Sequence, residues 1–257
     1  MLNVQVNQQA NQQAQPSRGI KGFFEGWTKF EKIWILIFTL TNIALWFVWR
    51  DNLLGVIATF TGMMANVLVA KGRISNYAFG LVNVLIYGYI SWGYQLYGEA
   101  MLNLGFYSSA NIIGFFMWRR NLKKPQDVKV NGEDIKTRRL TKRGWIAVLL
   151  IALVASIVYA EILTLTNAQQ VRLDSFAVVF SIIAQILMLM RYTEQWILWI
   201  LVNVLSIALW VVTLIKTGGT DYAMITMWTA YLINAIYGYV NWAKISKQGV
   251  DNNDTNN

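Results

Sequence analysis

Leu81-Val82-Asn83-Val84-Leu85 lies in the middle of an apolar run, and the same five residues return as Leu201-Val202-Asn203-Val204-Leu205 in the middle of another. Each run is long enough to cross a bilayer, which takes about 20 predominantly apolar residues in a helix. An Asn at that depth is costly unless another group satisfies its amide. Its recurrence at one place in two copies of a segment predicts a duplicated membrane protein with polar groups gathered around a shared site.

Composition agrees with that class. Of 257 residues, 56% are apolar and 14% charged, and a soluble domain of this size has too little interior to hide so many Leu, Ile, Val, Phe and Trp. Much of the surface is expected to face lipid. The chain has no Cys and no His. That removes disulfide scaffolds, thiol nucleophiles, most zinc sites and the commonest acid–base catalyst, so no enzyme, cofactor or metal site is expected. The Asn/Gln-rich start, Asn3 to Gln15, lacks the apolar core of a signal peptide. Met1 to Ser17 and Asp251 to Asn257 are expected to be disordered tails.

Eight apolar segments are long enough to be spans: Ile33 to Trp49, Leu53 to Ala70, Ser75 to Gly93, Ala100 to Trp118, Gly144 to Leu163, Ser175 to Met190, Trp196 to Ile215 and Tyr222 to Trp242. Lys and Arg concentrate in cytoplasmic loops. With the N-terminus inside, 19 of the 22 basic residues are cytoplasmic and only Arg50, Arg172 and Lys216 are outside. Both termini are then cytoplasmic in a plasma or inner membrane. The net charge of +9 becomes an orientation signal, and no nucleic-acid partner is expected. The basic stretch Arg119 to Arg143 is expected to be a solvated loop, with anionic lipid headgroups as the other reading.

A second match supports duplication. Tyr107, Ile112, Gly114 and Trp118 fall on Tyr231, Ile236, Gly238 and Trp242 at an offset of 124, against 120 for the pentapeptide. Asn66 and Gln185 form a further polar pair upstream of the two pentapeptides. The expected organisation is all-α: a tail (1–32), an extra transmembrane helix (33–49), a three-helix repeat (53–118), the basic loop (119–143), a linker helix (144–163), a second three-helix repeat (175–243) and a tail (244–257). One span separates the triples, so they cross in the same direction as parallel repeats, related by an axis along the membrane normal.

The polar residues then fall into stripes. At about 100° per residue, Trp196, Trp199 and Asn203 share an arc of about 60°. Tyr231, Asn234, Tyr237 and Asn241 make a second stripe with Trp228 on its flank, and Asn76, Phe79, Asn83 and Tyr87 a third. The fourth span offers Tyr107 and Asn111. The structural alternative is interfacial anchoring for Trp196 and interhelical hydrogen bonding for the amides and phenols. The candidate binding residues are Asn66, Phe79, Asn83, Tyr107, Gln185, Trp196, Trp199, Asn203, Trp228, Tyr231, Asn234 and Tyr237, with the second half ranked above the first for direct contact.

The arrangement resembles the vitamin transporters of the PnuC type, through Trp196-x-x-Trp199-x-x-x-Asn203 and the Asn and Tyr run of the last span, over about Ile33 to Lys244. The resemblance implies a fold like that of SWEET sugar transporters with full-length repeats, nicotinamide riboside as substrate, and import made one-way by phosphorylation of the ligand in the cytoplasm. A cationic ring with a carboxamide and a ribose suits indoles and neutral amides. Glu99, Glu161, Asp174 and Glu194 all sit at span ends. Without a carboxylate or His at mid-membrane there is no proton relay, so facilitated diffusion by alternating access is expected, with sodium held by backbone carbonyls as the coupled alternative. Rival readings are transport of thiamine or another vitamin, a receptor that does not transport, and an intramembrane enzyme. The expected partners are the small-molecule substrate and the bilayer, with homo-oligomers left open.

Overall fold

A capping box opens the first helix. The Thr28 hydroxyl accepts from the Glu31 backbone N–H at 3.2 Å, and the Glu31 carboxylate accepts from the Thr28 N–H at 2.7 Å. Helix α1 (Lys29–Trp49) therefore begins four residues before the apolar segment, and Glu31, assigned from sequence to the tail, is part of it. The computed structural model describes residues 23, 24, 26–49, 53–93, 100–123, 132–164, 171–217 and 222–254. The expected tail Met1 to Ser17 lies outside them.

Seven more α-helices follow: α2 (Leu53–Ala70), α3 (Asn76–Gly93), α4 (Ser108–Arg119), α5 (Lys142–Thr164), α6 (Val171–Leu189), α7 (Gln195–Thr217) and α8 (Tyr222–Asp254). No β-strand occurs among the described residues. Two differences from expectation stand out. The fourth span enters through a π-helical turn, Leu102–Tyr107, and α8 runs on through Asp254 where a disordered tail was expected from Asp251.

The two halves use the same local devices. Helix α2 ends in a Schellman motif, with Gly72 N–H on Val69 O and Arg73 N–H on Leu68 O, both at 2.8 Å. Helix α6 ends identically, with Arg191 N–H on Met188 O and Tyr192 N–H on Leu187 O, both at 2.9 Å. The residue in the left-handed region is Gly72 (φ 69°) in one and Arg191 (φ 65°) in the other. Helix α1 packs on α2 as α5 packs on α6, α3 pairs with α2 as α7 pairs with α6, α8 reaches back onto α2 and α4 packs on α6.

The central core joins both halves: Val69, Ala70, Tyr77 and Trp118 with Met188, Trp196, Ala235 and Trp242. Trp118 Nε1–H donates to Met188 O at 3.1 Å and Trp242 Nε1–H to Val69 O at 2.8 Å, so each triple is fastened to the first helix of the other. The end of the basic stretch is folded, in contrast to the solvated loop expected there. Asp134 N–H bonds Gly72 O at 3.0 Å, Arg138 N–H bonds Arg191 O at 2.8 Å, and Ile135 is fully buried. This segment straps the two Schellman turns together. The outer face of α5, with Ile146, Leu150, Val154, Ile157 and Val158, stays exposed, an apolar surface suited to lipid.

Candidate functional site

A cavity of about 220 Å³ opens between the first triple and the start of the second, lined by Ala65, Asn66 and Val69 from α2, Asn76, Gly80, Asn83 and Val84 from α3, Asn103 and Tyr107 from the π-turn, Asn111 from α4, Gln185 and Met188 from α6, and Trp196 and Trp199 from α7. This is just under the ~300 Å³ at which small-molecule sites ordinarily begin, which suits one compact ligand. Six of the fourteen lining side chains are Asn or Gln, three are aromatic, and none carries a formal charge. Each amide offers two donors and an acceptor.

Local structure explains how so many amides are held in an apolar bundle. Asn66 Nδ2 donates to Gly62 O at 3.1 Å, Asn76 Nδ2 to Arg73 O at 2.7 Å, Asn83 Nδ2 to Ala58 O at 2.7 Å and Asn111 Nδ2 to Tyr107 O at 2.8 Å. In each case the NH₂ end is tied to a backbone carbonyl and the orientation of the amide is set. Gly62 and Gly80 make the room: a methyl built on Gly62 would lie 2.8 Å from Asn83 Nδ2, and one on Gly80 would collide with Asn111 Oδ1. The π-turn brings Asn103 and Tyr107 to the same wall, a common use of such turns at functional sites.

The model for the family of nicotinamide mononucleotide transporters matches residues 52–244. The chain belongs to that family. Among similar proteins, the nicotinamide riboside transporter PnuC of Neisseria mucosa is 42% identical over 225 residues, covering 88% of this chain and 85% of the relative. That of Haemophilus influenzae is 36% identical over 226 residues, covering 88% and 95%. A solved structure described as the crystal structure of the vitamin B3 transporter PnuC superposes with a TM-score of 0.73 at 41% identity, over 86% of this chain and 94% of that one. The chain is thus a multi-pass membrane transporter by family, and its relatives are transporters and not enzymes.

In this transporter family member, half of the twelve candidate residues meet at the cavity: Asn66, Asn83, Tyr107, Gln185, Trp196 and Trp199. The other six do not line it. Asn203 is buried within α7. Phe79 and Tyr231 pack around Met63, Met64, Val67 and Leu68, and Trp228 sits edge-on to Tyr231 with centroids 5.9 Å apart. Asn234 Nδ2 donates to the backbone carbonyl of Asn66 at 3.2 Å, supporting the wall from behind. Tyr237 turns to α1, where its hydroxyl donates to Glu31 Oε1 at 2.7 Å. Most of the lining belongs to the first triple, the reverse of the order expected from sequence.

Sequence reasoning missed Asn103 as a site residue and gave Asn76 and Asn111 a packing role. Asn103 lies in a turn whose π geometry no simple periodicity reports. It also left α1 without function, yet Glu31 is fully buried against Lys71, 2.7 Å away, and Lys71 Nζ also donates to Gly26 O at 2.8 Å. Burial pushes the Lys71 ammonium below the usual lysine range, against the opposing pull of Glu31. The Thr28-x-x-Glu31 capping signature was the available signal for the helix start.

Proposed function

We propose that this chain imports nicotinamide riboside by facilitated diffusion. The observation that carries the reading is the uncharged, amide-rich cavity with Trp196 and Trp199 on one side. A cationic nicotinamide ring gains about 2 kcal/mol over a desolvated indole. Its carboxamide and the ribose hydroxyls need donors and acceptors in both directions, which fixed Asn and Gln side chains provide. The family's name refers to the mononucleotide, and the relatives' names to the riboside. A phosphate dianion calls for Arg, Lys or a helix N-terminus, and among the described residues no Lys or Arg lines the wall. The riboside, which needs no cation, is the better match to this wall.

In this reading the candidate residues at the cavity, with Asn76, Asn103 and Asn111, contact the ligand, and Asn203, Trp228, Tyr231, Asn234, Tyr237 and Phe79 support them. The triples are parallel repeats about an axis along the membrane normal, and their relative motion exposes the cavity alternately to the two sides. Reciprocal fastening by Trp118 and Trp242 supports that symmetry. Both termini and the strap face the cytoplasm of a cell whose inner membrane holds the protein, in line with the basic loops. Phosphorylation of the imported riboside in the cytoplasm makes uptake one-way.

The test is calorimetric titration of the detergent-solubilised protein with nicotinamide riboside, nicotinamide mononucleotide and thiamine, followed by flux into proteoliposomes. Saturable binding of the riboside alone, with flux, is expected. Binding of thiamine or the mononucleotide instead overturns the substrate, and binding without flux overturns transport in favour of a receptor.

A further inference from the structure

We propose that Tyr77, Trp118, Trp196 and Trp242 are the gate through which the ligand leaves the cavity at the basic end of the bundle, an inference that rests on the cavity being the riboside site. The four rings stand in a row. Tyr77 meets Trp118 edge-on at 5.0 Å, Trp118 meets Trp242 at 5.8 Å, and Trp242 meets Trp196 edge-on at 6.0 Å between centroids. All four residues are 2% exposed or less. Val69, Met188 and Trp196 belong both to the cavity wall and to this cluster, so the row is the floor of the site. Ile135 of the strap packs against the same cluster.

The floor is built to part. Both of its indole hydrogen bonds run between the triples, from Trp118 of the first to Met188 of the second and from Trp242 of the second to Val69 of the first. Drawing the triples apart breaks both and leaves each triple's own helix pairs intact. Tyr77 and Trp196 rest against Gly114 and Gly238, positions with no side chain to trap a moving ring. An independent sign is the polarity inside the closure. The Tyr77 hydroxyl, the Trp196 Nε1–H and both amide atoms of Gln195 are buried with no hydrogen-bond partner among the described residues. Buried polar groups ordinarily find a partner in protein or water. A passage that opens gives them water and gives the ligand's carboxamide and hydroxyls partners on the way out.

The chain has no cysteine, so a single thiol at Ala65→Cys reports on access to the cavity. In inside-out and right-side-out vesicles, its modification by a membrane-impermeant thiol reagent is compared with and without Trp118→Phe/Trp242→Phe, which keeps an aromatic ring at each position and removes both indole bonds. Labelling from the basic side is expected to rise by roughly fivefold or more, the shift that loss of one net hydrogen bond produces, with labelling from the other side unchanged. No rise, or an equal rise from both sides, overturns the gate. A second arm uses Ala70→Cys/Asn241→Cys, on the two sides of the seam where Asn241 Nδ2 bonds the backbone carbonyl of Ala70 at 2.9 Å. Bridging them with a short bis-methanethiosulfonate, which forms a disulfide with each thiol and releases methanesulfinate, is expected to stop nicotinamide riboside uptake into proteoliposomes, with recovery on reduction and retained binding. Undiminished uptake by the bridged protein overturns the gate. If the cysteine-free parent fails to bind the riboside, the site reading falls, while vesicle labelling still decides the gate.

Discussion

Trp199 and Lys71 illustrate how differently single side chains matter in this protein. Trp199 is half-buried at the cavity and has room on one face. Trp199→Ala is expected to weaken nicotinamide riboside binding by about 1–2 kcal/mol, roughly 5- to 30-fold in Kd by calorimetry, with a lowered melting temperature but a retained helical fold, since the indole also packs against two apolar clusters. Lys71 and Glu31 are both fully buried 2.7 Å apart. Removing one partner leaves an uncompensated charge, so Lys71→Met is expected to cost about 3–5 kcal/mol, read as a lowered melting temperature in detergent. Glu31→Gln added to Lys71→Met is expected to restore most of that loss. Trp199 and Asn83 both line the cavity, and their stripes are visible at helical spacing. Tyr237 shows the limit: its stripe was read correctly, but its partner comes from a helix more than 200 positions away and no local rule names it.

At the scale of the element, glycines record where helices touch. A methyl on Gly238 would stand 2.5–2.7 Å from Trp196 ring atoms, whereas one on Gly55 would meet nothing within 4 Å. Gly238→Ala is expected to destabilise α8 against α7 by about 1–3 kcal/mol, and Gly55→Ala to be neutral or to stabilise α2 by about 0.5–1 kcal/mol, both measured by thermal unfolding in detergent. Gly72 differs in kind, because its φ of 69° lies in the left-handed region. Gly72→Ala is expected to cost about 1–2 kcal/mol. The helices themselves were legible from apolar runs. The π-turn and the extension of α8 were not, since one depends on an extra residue in a turn and the other on a polar sequence with no apolar period.

For the whole molecule, the decisive feature is that the polar groups at the cavity are neutral. Uptake is expected to persist when proton and sodium gradients are collapsed with ionophores, since among the described residues no carboxylate or imidazole lines the cavity to carry a coupled proton. Loss of uptake on collapsing the sodium gradient alone, measured in proteoliposomes, would turn the mechanism to sodium symport. The strap belongs to this scale too. Its bonds to both Schellman turns link the triples at the end where the aromatic row closes.

What the sequence determined by itself was the membrane-transporter class, the all-helical fold and the amide and indole residue types found at the cavity. Apolar content, the repeated Leu-Val-Asn-Val-Leu and the amide and indole stripes are properties of spacing along one chain. The tertiary structure decided which half supplies most of the wall, which amides turn to the cavity and which support its back, and how α1 is bound in. Those outcomes depend on helix rotation and on contacts between residues far apart in sequence. A change of one residue in a π-turn, or a glycine opposite a tryptophan, alters them without altering any periodicity.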